Sequence, residues 1–212
     1  MSKGRFITFE GGEGAGKSTQ VGKLAAALRE AGHDVLETRE PGGSPAAEEI
    51  RELLVHGEVA RWDSVTEALL HFAARREHLV QTVWPAMDSG QWVLCDRFAD
   101  STMAYQGYGH GLGHESIETL YDLVVGRFHP DITLILDLPV EEGLRRAEQR
   151  RDGATRYERM DLAFHERLRE GFKDIARREP KRCVLIDAGR PVEQVQGDIR
   201  RVLTSRTGVE LP

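Results

Sequence analysis

Short strand-like runs recur along this chain, with longer, helically patterned stretches between them. The runs are Phe6–Phe9, Asp34–Glu37, Trp92–Cys95, Ile132–Leu138 and Cys183–Ile186. This alternation predicts an α/β fold, a five-stranded parallel sheet with helices on both faces. Ligands of such sheets bind beyond the carboxyl ends of the strands. The chemistry is therefore expected in the residues that follow each run. Between the second and third runs, Ile50, Leu53 and Leu54 mark the buried side of one helix, with Arg51 off that side. From Val65 to Met87 the pattern predicts one long helix. At 100° per residue, Leu69, Phe72, Leu79 and Val83 share an apolar arc, while His71, Arg75 and His78 share another. Arg76 falls within the apolar arc, where a charge needs an anionic partner or a route to solvent.

Composition narrows the picture. The 212 residues are 40% hydrophobic, enough for one domain spanning 1–212 with a sizeable core. No repeat, low-complexity tract or linker divides them. The net charge of −6 argues against sequence-independent nucleic-acid binding, so an anionic substrate would have to be held by local arginines. No apolar run approaches the roughly 20 residues that span a bilayer. The first five residues lead directly into a strand, so no targeting leader is expected. Cys95 and Cys183 lie in apolar runs and read as buried, reduced thiols of a cytoplasmic protein.

The strongest chemical signal follows the first run. Gly11-Gly12-Glu13-Gly14-Ala15-Gly16-Lys17-Ser18 fills every position of G-x-x-x-x-G-K-[ST], between a strand and a helix carrying Leu24, Ala25 and Leu28. Glycines let successive N–H groups turn inward around a phosphate, and the helix that begins there adds its positive end. Lys17 would bring a cation to the β- and γ-phosphates, and Ser18 a hydroxyl to Mg²⁺. The third run ends in Asp96-Arg97. Asp96 reads as the acidic partner of that Mg²⁺ and Arg97 as a bidentate phosphate ligand. A Pro-Gly-Gly turn follows Thr38-Arg39-Glu40. Tyr105 and Gln106 beside Gly107 suit an aromatic wall and an amide reading a base edge, or an ordinary loop. Farther on, Arg145, Arg146, Arg150, Arg151, Arg156 and Arg159 flank a break at Asp152-Gly153-Ala154-Thr155. Such a run is most often a solvated face. In a P-loop enzyme it can be a lid, here about 150–158, that closes arginines over the transferring group. The loop Asp187-Ala188-Gly189-Arg190-Pro191 is expected beside the nucleotide base.

Together these residues resemble bacterial thymidylate kinases. The resemblance rests on Phe9-Glu10-Gly11 through Thr19, Thr38-Arg39-Glu40-Pro41-Gly42-Gly43, Phe72-Ala73-Ala74-Arg75, Asp96-Arg97-Phe98-Ala99-Asp100-Ser101-Thr102 and Ala104-Tyr105-Gln106-Gly107, in family order and spacing. It covers essentially the whole chain. It implies a P-loop nucleoside-monophosphate-kinase fold, a homodimer, and transfer of the ATP γ-phosphoryl to thymidine monophosphate with Mg²⁺. It implies that Gly11, Gly12, Glu13, Gly14, Ala15, Gly16, Lys17, Ser18 and Thr19 hold ATP, with Glu13 also facing the acceptor sugar. Glu40 and Pro41 would line the acceptor site, and Arg51 and Arg97 would bind its phosphate. Arg75 and Gln106 would contact thymine, with Ser101 or Thr102 and Tyr105 beside it. Phe72, or His71 one position earlier, would stack on the base. Lys17, Arg97, Glu13 and the lid arginines Arg156 and Arg151 would be catalytic. The family's Asp-Arg-[hydrophobic]-Glu reads Thr155-Arg156-Tyr157-Glu158 here. A kinase for another nucleoside or its monophosphate, or a P-loop switch that recruits a partner, are the alternative readings.

Overall fold

The structure, a computed structural model, describes residues 4–149 and 155–211. Five parallel strands form one sheet: β1 (Phe6–Glu10), β2 (Val35–Arg39), β3 (Trp92–Asp96), β4 (Ile132–Asp137) and β5 (Cys183–Asp187), in the order β2-β3-β1-β4-β5. The expected strands are all present. Three of them reach one residue farther than their apolar runs, ending in Glu10, Asp96 and Asp187, because the ladder continues past the hydrophobic residues. Phe9 pairs with Asp96, and Asp96 with Arg39. β4 stops at Asp137, one residue short of the expected end.

The pleat sends alternate residues to opposite faces, and each face has its own core. Ile7, Phe9, Leu94, Leu134 and Leu136 meet α1 (Lys17–Glu30) and α9 (Val192–Thr207) through Leu24, Leu28, Ile199 and Leu203. Phe6, Val93, Cys95 and Ile135 lie on the other side, with Phe72, Leu79 and Val83 and with Phe164, Leu168 and Phe172 of α8 (Leu162–Arg178). Both cysteines are buried free thiols. Pro45–Val55 forms α2. Asp63 then caps α3 (Ser64–His78), accepting from the Val65 and Thr66 amides at 3.0 and 3.2 Å.

The predicted helix from Val65 to Met87 is continuous in direction but not uniform. After α3 the backbone widens to π-helical over Leu79–Val83 before α4 (Trp84–Asp88). The buried arc is also turned from the one expected. Leu69 is 51% exposed, whereas Arg75 and His78 are buried. Arg76 lies outside, donating to the Val124 carbonyl at 3.0 Å and resting on the Trp84 ring. The physical reason is that α3 is enclosed on two sides. Its apolar residues meet the sheet, and the neighbouring polar residues meet the site.

Beyond β3, α5 (Ala99–Thr102) passes into a second π-helical segment, Met103–Gly109, that packs on α8. α6 (His114–Val124) and α7 (Val140–Glu148) flank β4.

Candidate active site

One cavity of about 390 Å³ opens over the carboxyl ends of β1, β2 and β3. Its floor at one end is the glycine loop. Gly14 and Gly16 have φ of 65° and 88°, backbone that a side chain would resist, and α1 starts at Lys17. Lys17 is buried, with Nζ donating to the Gly11 and Gly12 carbonyls at 3.1 and 2.8 Å. Burial, and then the charge of Arg97, lowers its pKa to about 8. The Ser18 hydroxyl donates to Asp96 Oδ2 at 2.6 Å. Gly14 through Thr19 and Asp96 line the cavity; Gly11 and Gly12 lie behind them, against a smaller hollow beside β4.

Arg97 stands between the two ends. It is a non-glycine residue with positive φ, 71°, which turns the chain back over the sheet as it leaves β3. Two bonds hold that turn: the Arg97 amide donates to Phe9 O at 2.9 Å, and the Phe98 amide to Glu10 Oε1 at 2.8 Å. The guanidinium reaches Gly11 O, Ser101 Oγ and Glu13 Oε1 at 3.0 to 3.1 Å. Burial works against its charge, but Tyr105 and the carboxylates of Glu13, Asp96 and Glu10 overcome that and raise its pKa. The Tyr105 hydroxyl also donates to Glu13, at 2.6 Å. Beneath, Glu10 is fully buried. Burial, and then the charge of Asp100, pushes its pKa up to about 8.

The far end is built around Arg75. Its Nε donates to Glu40 at 2.8 Å and its Nη2 to Thr102 at 3.0 Å, between the Phe72 and Phe98 rings. Burial pushes the Glu40 carboxyl upward, but Arg75 and His78 hold it below its usual value. Gln106, also buried, donates Nε2 to Glu67 at 2.7 Å. Two atoms here have no hydrogen-bond partner among the described residues, the donor Arg75 Nη1 and the acceptor Gln106 Oε1. Such groups are rare in folded interiors unless something else fills them. Burial lowers the His71 pKa to about 4, so the ring in this wall is neutral.

Most of the expected residues meet at this cavity: Glu13, Glu40, Pro41, Arg51, Arg75, Arg97, Ser101, Thr102, Tyr105 and Gln106. Two expectations need revision. Phe72 is 1% exposed and packs in the core, so the ring on the cavity wall at this point is His71. Arg156 does not line the cavity; its guanidinium is buried against Glu67, the Leu54 and Val59 carbonyls and the Tyr157 hydroxyl. A buried guanidinium takes up such acceptors in preference to a dry, unpaired site. The loop at 187–191 is not part of this cavity's lining but adjoins it: Arg146, on the wall, donates to the Ala188 carbonyl at 3.4 Å, while Arg190 pairs with Asp187 and Asp198. Arg150, Arg151 and the break through Ala154 lie outside the described residues; Arg146, Thr155, Tyr157 and Glu158 line the cavity. Glu10 stands in a recognised motif but without a role, and Glu67 escaped notice, because a lone acid in a strand or helix carries no pattern.

Sheet, glycine loop and joined anion subsites define a nucleotide-binding protein of the P-loop class. A family profile for thymidylate kinase matches residues 9–199. The chain is 57% identical to the thymidylate kinase of Caulobacter vibrioides, over 99% of this chain and 100% of that one. It is 49% identical to that of Alkalilimnicola ehrlichii, over 97% and 94%. The crystal structure of thymidylate kinase from Ehrlichia chaffeensis matches with a TM-score of 0.77 at 38% identity, covering 95% of this chain and 99% of that one. This chain belongs to the thymidylate kinase family.

Proposed function

We propose that this chain transfers the γ-phosphoryl group of ATP to thymidine 5′-monophosphate, giving ADP and dTDP, a step of dTTP formation. The two orphaned atoms carry this reading. A donor at Arg75 Nη1 and an acceptor at Gln106 Oε1 complement an edge that presents a carbonyl beside an N–H. The 4-carbonyl and N3–H of thymine form such an edge. Neutral His71 offers a flat wall for the ring.

Each residue then has a task. The loop from Gly11 to Thr19 encloses the donor phosphates, with Lys17 as their cation. The acceptor phosphate goes to Arg97 and Arg51, and Glu13, held by Arg97 and Tyr105, faces the sugar. Two anionic groups must approach in line, and Lys17 with the arginines offsets their repulsion. The acceptor oxygen is already ionised, so no strong base is required. Ser18 and Asp96 place a hydroxyl and a carboxylate together beside the loop, hard oxygen donors that fit Mg²⁺. The ion would spread the charge developing on the transferring phosphoryl group. Residues 150–158 act as a lid over the single domain of 1–212, keeping water from the reaction. Arg151 is the candidate lid cation, since Arg156 is engaged with Glu67 in this state. Exposed Leu53, Val65, Leu69 and Leu123, on the neighbouring helices α2, α3 and α6, support a homodimer. Among the described residues no helix is long and apolar enough to cross a membrane. The cytoplasm is the proposed location, a reducing compartment in keeping with the two buried free thiols.

A coupled ADP-release assay with ATP and Mg²⁺ tests this reading. Separate wells receive the thymidine, deoxyuridine, uridine, cytidine, guanosine and adenosine monophosphates. Turnover mainly in the thymidine well is expected. Preference for another monophosphate would overturn the base assignment, and ATP consumption independent of acceptor would overturn the kinase reading.

A further inference from the structure

Glu67 is a carboxylate in the middle of α3 with 1% of its surface exposed. Nothing in the proposed chemistry uses it, yet three donors converge on it from two segments, the π-helical stretch with its cap and the turn at Arg156. Gln106 Nε2 reaches Oε1 at 2.7 Å, and His110 Nε2 approaches the same oxygen at 3.4 Å. The Arg156 guanidinium pairs with Oε2. Arg156 is itself anchored by two backbone carbonyls. Burial alone would raise the Glu67 pKa, but His110 and Arg156 bring it down to about 2. The group is therefore an acceptor with no proton to give.

That has a consequence for Gln106. A glutamine amide has one donating and one accepting end, and its neighbours decide which way it sits. Opposite an ionised carboxylate only the NH₂ end fits. The reversed amide would set two oxygens against each other in a buried place. Oε1 is then left for the cavity, without a partner among the described residues. We infer that Glu67 is a specificity-determining positioning residue, which fixes the Gln106 amide so that it accepts from the base and cannot donate to it. The inference rests on the proposed acceptor. A thymine or uracil edge offers N–H at position 3, whereas a cytosine edge offers a lone pair there and an amine at position 4. With Gln106 locked and Arg75 Nη1 donating, both contacts to cytosine are reversed, and buried reversed contacts discriminate strongly.

The test compares kcat/KM for thymidine monophosphate and 5-methyldeoxycytidine monophosphate. The two share the methyl group and differ only along this edge. In Glu67→Gln the new amide can turn either end toward Gln106, which frees it to reverse. The ratio of the two kcat/KM values is expected to fall by more than about fivefold, mainly through KM for the monophosphates, with KM for ATP nearly constant. A smaller change in the ratio, including an equal loss for both acceptors, would overturn the inference. If Glu67→Gln is not recovered folded, the double variant Glu67→Met with Arg156→Met removes the buried pair without leaving a lone charge, and the same ratio decides. The parent protein separates the two claims. No turnover of thymidine monophosphate would fail the acceptor reading and the inference with it. Turnover with an unchanged ratio in the variant would fail the inference alone.

Discussion

Arg97 leaves β3 in a conformation that side chains disfavour, and its guanidinium touches both the glycine loop and Ser101. In the proposed reaction it would stand between the donor and acceptor phosphates. Arg97→Ala is expected to lower turnover by roughly 100-fold or more while ATP affinity stays within about threefold. Isothermal titration with ATP beside steady-state rates checks both halves. An affinity loss as large as the rate loss would move Arg97 to nucleotide binding. Glu10, which holds the following amide, gives a pH signature. Its folded pKa of about 8 lies above the usual 4.5, so the folded state binds its proton more tightly. The stability this contributes is complete below about pH 4.5 and lost as pH rises through 8. Glu10→Gln has no such loss. Its melting temperature relative to the parent is expected to shift upward on the order of 5 °C between pH 6 and pH 9. A difference constant across that range would show that Glu10 is not titrating. At this scale, Lys17, Asp96 and Arg97 were legible because motif and strand end coincide. Arg75 was harder. Its burial depends on Glu40, 35 residues away, and no local spacing records such a partner.

Helices and strands bring distant backbone into contact, and Gly143 of α7 shows how closely. A Cβ there would lie 2.5 Å from the Glu13 carbonyl oxygen. Gly143 is thus needed for its lack of a side chain, and the glycine loop rests directly on α7. Gly143→Ala should displace the loop and raise KM for ATP by roughly tenfold or more, with less effect on KM for the monophosphate. Equal changes in both would point to general destabilisation. Strands were read from the sequence to within a residue, apart from β2, which runs two residues past its expected end; burial of β1, β3 and β4 on both faces leaves nearly continuous apolar runs. α3 was placed but its faces were not. A helix wheel counts hydrophobic residues, and half of what α3 buries is polar. The π-helical widening at Leu79–Val83 has no counterpart in that periodicity.

For the molecule as a whole, several large apolar side chains are left to solvent on neighbouring helices. Leu123 is 81% exposed on α6, beside a helix carrying Val65 and Leu69. If these residues meet a second copy, Leu123→Glu should convert the protein to a monomer by light scattering and remove any concentration dependence of its melting temperature. A parent that is monomeric at micromolar concentration would end the dimer proposal. Composition alone gave no hint of this surface, because exposure is decided by how α2, α3 and α6 pack together.

The unpartnered Arg75 Nη1 and Gln106 Oε1 also bear on inhibitor chemistry. A compound that fills the cavity but satisfies neither atom leaves two polar groups dry, at about 1–3 kcal/mol each. Lead compounds for this pocket are therefore better ranked by whether they carry an adjacent carbonyl and N–H than by size or lipophilicity. A small cyclic imide should exceed a larger hydrocarbon scaffold in affinity per heavy atom.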